Sequence, residues 1–471
     1  MSNAVAVESR SWPREFLATL ALAWPLVVAQ LAQNSLVATD VIMMGWLGPE
    51  FLAAGTLASS FYTPLMLLGG GVASAVAPLA AQALGARDFR MVRRTVRQGF
   101  WAAIVVATAL MPLVWNIRSI LLALGQDAHL AELAESYMRI AGFSLYPALG
   151  IFVLRSFLSA LGTTGVILWS TVIGVVVNAV GAYGLMFGNF GLPALGLQGA
   201  GIVMVASNSL IFLILLGYAL MHRRARRFHI LVRFWRPDWS RLGEIFRVGA
   251  PIGLTIMAEV GMFSMTTLFM GWLGTAEVAA HAVALQLSSL AFMVPLGIGM
   301  AATVRVGRAH GAGNRDAVGK AGWSAYAVGV GFMACSCIVF LLFRPLLVGV
   351  FLDPADPANL HSFQLAVSYL MIAALFQLAD GAQAVSAHSL RGMSDTRTPM
   401  LIAFLGYWAV GMPSSYLLGF TLGLEGLGIW IGLAIGLVFV AITLTARFAM
   451  RERLGLTGPK AATAPPLPMH S

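Results

Sequence analysis

Charged residues and cysteines are scarce in this sequence. Of its 471 residues only 10% are charged and two are cysteines, whereas 59% are hydrophobic. Soluble domains carry about 25% charged residues, so the composition excludes a soluble globular protein and indicates a polytopic membrane protein. Cys335 and Cys337 are two residues apart in an apolar run, where a helix turns them to different faces. They therefore predict neither a CxxC pair nor a metal site.

Long apolar runs predict helices rather than barrel strands. Runs of about 20 residues match helices that cross about 30 Å of hydrocarbon, whereas barrel strands are shorter and alternate. Twelve windows qualify: 18–46, 52–84, 98–124, 132–160, 164–187, 197–221, 246–273, 278–309, 322–351, 362–390, 398–420 and 427–449. The predicted fold class is therefore all-α with twelve transmembrane helices. The first window is too long for a signal peptide and is expected to remain as the first helix.

Positive charge alternates between the connections that join these windows. Odd-numbered connections hold acidic residues and almost no arginine or lysine. The basic residues of the even-numbered connections are Arg87, Arg90, Arg93, Arg94, Arg97, Arg223, Arg224, Arg226, Arg227, Arg233, Arg236, Arg241, Arg308, Arg315, Lys320, Arg391 and Arg397. The positive-inside rule places both termini in the cytoplasm, in a multi-pass protein of the cell inner membrane. The net charge of +10 thus reflects topology, and we expect no nucleic-acid partner.

The connection at 222–241 combines arginines with Phe228, Trp235 and Trp239. We interpret it as a topology-setting linker. The alternative is a lipid-surface element that contacts anionic headgroups. Membrane lipids are therefore expected partners.

Two short motifs recur at nearly the same offset. The sequence GWLG of residues 45–48 recurs at 271–274, and GLQGAG of 196–201 recurs as GLEGLG at 423–428. Matches near both ends of a long unit indicate a duplicated six-helix unit. Because six is even, both copies enter the membrane from the same side, as in transporters that rock two halves about a central cavity. Helix packing explains these glycines better than a nucleotide-binding loop, since they follow no predicted strand.

This duplication divides the chain into four predicted parts. Residues 1–221 form an N-terminal lobe and residues 245–450 a C-terminal lobe, related by a pseudo-two-fold axis along the membrane normal. Residues 222–244 form a cytoplasmic linker, and 451–471 a disordered cytoplasmic tail that ends in a Pro-rich stretch. We expect a monomer.

Asp40, Glu259 and Asp380 lie inside apolar windows with no basic residue within a helical turn or two along the sequence. A charge at the bilayer centre costs about 2.5–3.5 kcal/mol on insertion scales, so these acids are functional candidates. Each acid could instead be neutral and only hydrogen-bond a neighbouring helix. A carboxyl group in low dielectric can exchange H⁺, or bind Na⁺ where other oxygens converge. Coupling then requires unequal ion binding to inward-facing and outward-facing states.

The acids are not symmetry mates. Under the repeat, Asp40 aligns with Thr266 and Glu259 aligns with Gln33. Gln33 and Asp40 lie on nearly the same helix face, about 10 Å apart in depth. The two lobes are thus predicted to place acids at different depths.

Several segments together resemble the MATE family of multidrug and toxic compound extrusion transporters, and most of all its NorM branch. They are residues 25–48, 251–274, 280–290, Asp380 and residues 389–392. The resemblance covers roughly residues 15–450. It implies a V-shaped pair of six-helix lobes that exports cationic, amphipathic organic compounds in exchange for inward H⁺ or Na⁺.

The resemblance also implies site residues. Glu259 and Asp380 match the cation-site acids of the C-terminal lobe, including its possible Na⁺ ligands, and Asp40 and Asn178 match the polar cluster of the N-terminal lobe. Phe376 stands where some members have tyrosine, so the aromatic face remains without the hydroxyl.

The leading hypothesis is therefore a secondary antiporter with no cofactor beyond its coupling ion. Glu259, Asp380 and Asp40 would handle the coupling cation. The residues assigned to the substrate or to the polar clusters are Asn178, Gln33, Asn34, Gln286, Phe376 and Gln377.

Two alternatives were weighed. A lipid-linked oligosaccharide flippase of related fold should carry cavity arginines for pyrophosphate, and Arg155, near a cytoplasmic helix end, is the one candidate. An intramembrane enzyme is disfavoured, because the sequence has no HExxH motif, no paired aspartates at helical spacing and no buried Ser/His dyad. We expect a protein that is not an enzyme.

Overall fold

The computed structural model describes residues 11–357 and 359–457, which form helices joined by short connections and contain no strand. Twelve helices are long and apolar enough to cross a membrane. They are α1 (Trp12–Leu47), α2 (Pro49–Gly85), α3 (Phe89–Trp115), α4 (Ala128–Leu161), α5 (Gly165–Phe187), α6 (Leu197–Met221), α7 (Trp239–Leu273), α8 (Thr275–Gly311), α9 (Arg315–Gly349), α10 (Leu360–Gly392), α11 (Arg397–Thr421) and α12 (Glu425–Ala449). The prediction of twelve membrane helices is confirmed.

Several helices begin well before their apolar windows. The Asp88 carboxylate accepts a hydrogen bond from the Met91 backbone N–H at the start of α3, and Asp238 does the same for the Arg241 N–H at the start of α7. Each cap satisfies a backbone donor that the helix leaves unpaired. Hydropathy misses these turns because they are rich in arginine. The predicted linker 222–244 therefore contains the first turns of α7.

The duplication is visible in the helices. Both α1 and α7 contain an internal proline, Pro25 and Pro251, and each joins the next helix through one glycine. Gly48 (φ 136°) and Gly274 (φ 159°) adopt backbone conformations that residues with a side chain rarely enter. The two GWLG motifs thus end equivalent helices and turn the chain back into the membrane.

The N-terminal lobe comprises α1–α6 and the C-terminal lobe α7–α12. The lobes pack closely where α2 crosses α7. A Cβ atom added to Gly249 would lie 2.5 Å from the Val72 carbonyl oxygen, and one added to Gly253 would lie 2.6 Å from the Leu68 carbonyl oxygen. This spacing of small residues lets two helix backbones pack closely in a membrane.

Polar contacts between the lobes cluster at one end of the helices, where the arginine-rich connections lie. This end is here called the arginine-rich end. Gln82 donates to the Gly392 carbonyl oxygen at 2.8 Å and to the Ser394 hydroxyl at 2.9 Å. Arg305 pairs with Glu15, and Arg308 donates to a carbonyl oxygen of α4. The lobes are therefore closed against each other at this end.

The predicted tail begins as ordered structure. Residues 451–457 form hydrogen-bonded turns after α12, and the Arg451 guanidinium lies 4.9 Å from the centre of the Phe448 ring. The rest of the predicted tail, residues 458–471, lies outside the described residues.

Candidate functional site

The acid of the N-terminal lobe is held by two other helices. Asp40 on α1 is half-buried, and its carboxylate accepts a 2.6 Å hydrogen bond from the amide of Asn178 on α5. Asn178 is 1% exposed and in turn accepts a 3.4 Å hydrogen bond from Ser207 on α6. The structure thus brings Asp40 and Asn178 together, as the sequence-based pairing requires. Ser207 had no sequence signal, because a serine in an apolar helix is ordinary.

The other polar residues of α1 lie about two turns before Asp40, closer to the arginine-rich end. Gln33 and Asn34 are half-buried, and neither side chain hydrogen-bonds within the described ranges. One turn earlier, Gln30 accepts a 3.1 Å hydrogen bond from Arg155 on α4. Arg155 is 6% exposed. It is bound inside its own lobe, in a setting unlike that of a pyrophosphate ligand.

In the C-terminal lobe, Asp380 on α10 is buried and joined to α11. Gln383 donates to the Asp380 carboxylate at 3.4 Å, and the Tyr407 hydroxyl donates to Gln383 at 3.2 Å. Tyr407 lies in a π-helical segment, Leu405–Gly411, that interrupts α11. Such segments are frequent at functional sites. Gln377 points elsewhere and accepts a 2.7 Å hydrogen bond from Ser336 on α9.

Glu259 on α7 completes this group. Its carboxyl interacts electrostatically with Asp380, Tyr407 and Arg391. Arg391 also lies 3.3 Å from His388 one turn before it on α10. From the sequence, Arg391 was predicted only to set topology, and the acids have no basic residue near them along the chain. Sequence spacing hides this interaction because Glu259 and Arg391 belong to different helices. The two charges influence each other at longer range, since no ion pair joins them among the described residues.

Aromatic residues pack beside this acidic cluster. Phe376 is 2% exposed, and its ring centre lies 6.3 Å from that of Phe263 and 5.8 Å from that of Trp430. His281 is also fully buried, 5.5 Å from Trp430 and 3.3 Å from the Thr267 hydroxyl. His281 belongs to the 280–290 segment that resembles the family, but no role was predicted for it. Gln286 is exposed on α8 and joins neither polar cluster.

The chain contains no cluster of three or more His, Cys, Asp or Glu residues placed to hold a metal ion, across residues 11–357 and 359–457. Any Na⁺ would therefore rely on the two acids and on neutral oxygens such as that of Gln383. The two lobes hold separate polar clusters of different composition. Twelve helices in two equivalent lobes, with ionisable groups inside each lobe, are typical of membrane transporters.

Comparison with known proteins gives the family. The MatE family model matches residues 25–184 and 251–417, one match in each lobe, and the matches begin at the paired prolines. The chain is 47% identical over 443 residues to the "Probable multidrug resistance protein NorM" of Brucella suis biovar 1 (strain 1330), covering 94% of both chains. It is 45% identical over 445 residues to the protein of the same name from Mesorhizobium japonicum, covering 94% of this chain and 95% of that one.

The fold agrees. The crystal structure of the eukaryotic MATE transporter AtDTX14 superposes with a TM-score of 0.83 at 23% identity, over 94% of this chain and 99% of that chain. The chain belongs to the MatE family of multi-pass membrane transporters. The resemblance inferred from the sequence is confirmed.

Proposed function

We propose that this transporter is a cation-coupled antiporter that exports cationic, amphipathic organic compounds in exchange for inward H⁺ or Na⁺. Its relatives are named as multidrug resistance proteins, which supports multidrug efflux. The observation that carries the coupling proposal is the cluster of Glu259, Asp380 and Arg391 inside the C-terminal lobe. We place the transporter in the cytoplasmic membrane with both termini in the cytoplasm, on the charge distribution of its connections.

Charge balance in this cluster favours one bound cation. With both carboxyls ionised and Arg391 protonated, the cluster carries one excess negative charge. Uncompensated charge is costly in low dielectric, so one proton or one Na⁺ neutralises the group. Gln383 bonds the Asp380 carboxylate and Tyr407 bonds Gln383, so both supply neutral oxygens near Asp380.

The N-terminal cluster suits a different task. Asp40 is a single carboxylate that is only half-buried, so it stays accessible to a cationic substrate or to a proton. Asn178 donates to it while accepting from Ser207, which fixes the orientation of the amide. We assign to Asp40 and Asn178 the substrate or proton step of export.

Export requires that the arginine-rich end opens. The pairs Arg305–Glu15 and Arg94–Asp238 and the bonds of Gln82 hold the lobes together there. Cation binding can drive a change of state only if the two states bind the cation unequally. The electrostatic link between α7 and α10 offers such a difference, because rocking of α7 changes the surroundings of Glu259.

The flippase alternative is not favoured. Its one candidate arginine, Arg155, is buried and bound to Gln30 in its own lobe. The relatives at 45–47% identity are named as multidrug resistance proteins.

Transport in proteoliposomes tests the proposal. A pH gradient and a Na⁺ gradient are imposed separately, and accumulation of a cationic dye is measured against protein-free liposomes. We expect one of the gradients to drive dye accumulation to at least about ten times the protein-free level, since each 59 mV of driving force supports a tenfold concentration ratio. Failure of both gradients with several cationic dyes would contradict the antiporter proposal.

A further inference from the structure

A surface groove lies at the arginine-rich end, where α6 meets the linker between the lobes. Its volume is about 440 Å³. The lining residues combine the last turn of α6 with the linker: Ala219, Leu220, Arg226, Arg227, His229, Ile230, Leu231 and Val232. One side is therefore basic and the other apolar, and neither polar cluster of the transport site contributes to it.

The basic side has no acidic counterpart. None of the lining residues is a carboxylate, and the ion pairs of the described chain include neither Arg226 nor Arg227. Glu244 of the linker pairs with Arg241, and Asp238 accepts from Arg94 and from the backbone of Arg241. This engagement holds the pKa of Asp238 below its ordinary value although partial desolvation acts in the opposite direction. Asp238 thus stays ionised, committed to Arg94, and does not neutralise the groove.

The groove is built before any ligand arrives. Phe228 is 2% exposed and lies 5.7 Å from Phe157 of α4, so its ring anchors the linker in the protein interior. Trp101 of α3 donates to the Phe234 carbonyl oxygen at 2.9 Å. His229 (φ 47°) and Arg233 (φ 57°) hold left-handed backbone conformations. Such strain persists only where the surrounding structure fixes it, and it clusters at ligand sites.

The guanidinium of Arg227 is also positioned in advance. It lies 5.3 Å from the ring centre of Phe89 and 5.0 Å from that of Phe228. Stacking on aromatic rings restrains the plane of an arginine and leaves its N–H edges free to bind phosphate.

The apolar side lies at the level where α6 leaves the membrane. Leu220 and Val232 are exposed, as are Trp235 (84%) and Trp239 (74%) farther along the linker. Tryptophan is enriched at the membrane–water interface, where one part of the ring is apolar and the other is hydrated. The groove thus faces both headgroups and acyl chains.

We propose that this groove binds an anionic phospholipid from the leaflet at the arginine-rich end. The phosphate binds Arg226 and Arg227, with His229 beside them, and an acyl chain lies along Leu220 and Val232. The bound lipid attaches the linker and the end of α6 to the membrane surface while the lobes rock.

Native mass spectrometry of the full-length protein tests the site. The detergent-solubilised transporter is titrated with phosphatidylglycerol or phosphatidylcholine, and binding of the first lipid is measured. The variant Arg226→Gln/Arg227→Gln is compared with Arg223→Gln/Arg224→Gln, which removes the same charge from exposed arginines just outside the groove. We expect the groove variant to lose about tenfold or more in phosphatidylglycerol affinity, given about 1 kcal/mol for each basic residue near anionic lipid. The phosphatidylglycerol affinity of the control variant should change by less than threefold.

Three outcomes overturn the proposal. An equal loss of phosphatidylglycerol affinity in both variants indicates diffuse attraction, and equal binding of phosphatidylcholine shows that the net charge of the lipid plays no role. Full displacement of the lipid by millimolar inorganic phosphate indicates a site for free phosphate. As a check on folding, the thermal unfolding midpoint of the groove variant in lipid-free detergent should equal that of the control. A second variant, Val232→Gln, should weaken long-chain phosphatidylglycerol more than a short-chain analogue, and equal weakening would contradict the acyl-chain assignment.

Discussion

The two lobes share their helical plan but hold different chemistry. The polar cluster of the N-terminal lobe has one acid, Asp40, bound by a neutral amide, whereas the cluster of the C-terminal lobe combines Asp380 and Glu259 with the nearby charge of Arg391. At the position equivalent to Asp40, Thr266 is fully buried and donates to the backbone of its own helix at 2.8 Å. Duplication therefore preserved the packing while the ionisable groups diverged. The difference supports our proposal that the lobes perform separate steps, with the coupling cation bound in the C-terminal lobe.

The largest effect should come from the acids of the C-terminal lobe. Glu259→Gln combined with Asp380→Asn removes both carboxylates and leaves Arg391 without a counter-charge, so we expect dye export in whole cells to fall to the vector background. The exposed acid Glu132 supplies a matched control, Glu132→Gln, which should export normally. Export by the double variant at the wild-type rate would remove the C-terminal lobe from the coupling step.

The next effect concerns the contact between the lobes. Gly253→Ala places a methyl group against the Leu68 carbonyl oxygen of α2, and overpacking of this kind costs about 1–3 kcal/mol. We expect a lower thermal unfolding midpoint and faster backbone hydrogen exchange around Gln82 at the closed end. The control Gly243→Ala lies on the same helix with no atom within 4 Å of the added Cβ. Identical behaviour of the two variants would show that the close α2–α7 crossing does not stabilise the closed end.

A smaller effect is expected from Arg391→Gln. Removing this charge leaves two carboxylates without their arginine, so the coupling cation should bind more tightly and leave more slowly. We expect the apparent KM for the cation and the maximal turnover in proteoliposomes each to fall about tenfold, which corresponds to about 1.4 kcal/mol. Arg397→Gln, an exposed arginine beyond the end of α10, is the control. An unchanged cation KM would argue that Arg391 serves topology alone.

The smallest effect should arise in the N-terminal lobe. Asn178→Ala removes the donor to Asp40 and leaves Ser207 unpaired. The lost hydrogen bonds cost about 1 kcal/mol, so we expect the rate of dye export to fall about fivefold. The cation KM should stay within twofold of wild type if the lobes divide the work. Asn208→Ala is the matched control, because Asn208 bonds the backbone of its own helix, at 3.0 Å. A large shift in cation KM for Asn178→Ala would break the proposed division.

The helices were predictable because each is encoded by a local run of apolar residues. The first residues of the helices at the arginine-rich end were not predictable. The caps Asp88 and Asp238 lie among polar residues, which fall outside the apolar windows. The pairing of Asp40 with Asn178 came from family resemblance, and the structure supplies its geometry. Tyr407 escaped prediction because tyrosine in an apolar window carries no signal, and only the packing of α11 on α10 brings it to Gln383.

The sequence by itself determined the class of protein, the twelve helices, the duplication and the three misplaced acids, because composition, apolar run length and repeats are local properties of the chain. Tertiary structure alone decided the surroundings of those acids. It gave Asp40 an amide, linked Asp380 to Tyr407 through Gln383, and placed Arg391 near Glu259. The physical reason is that these partners come from different helices, so their contacts depend on how the helices pack and not on spacing along the chain.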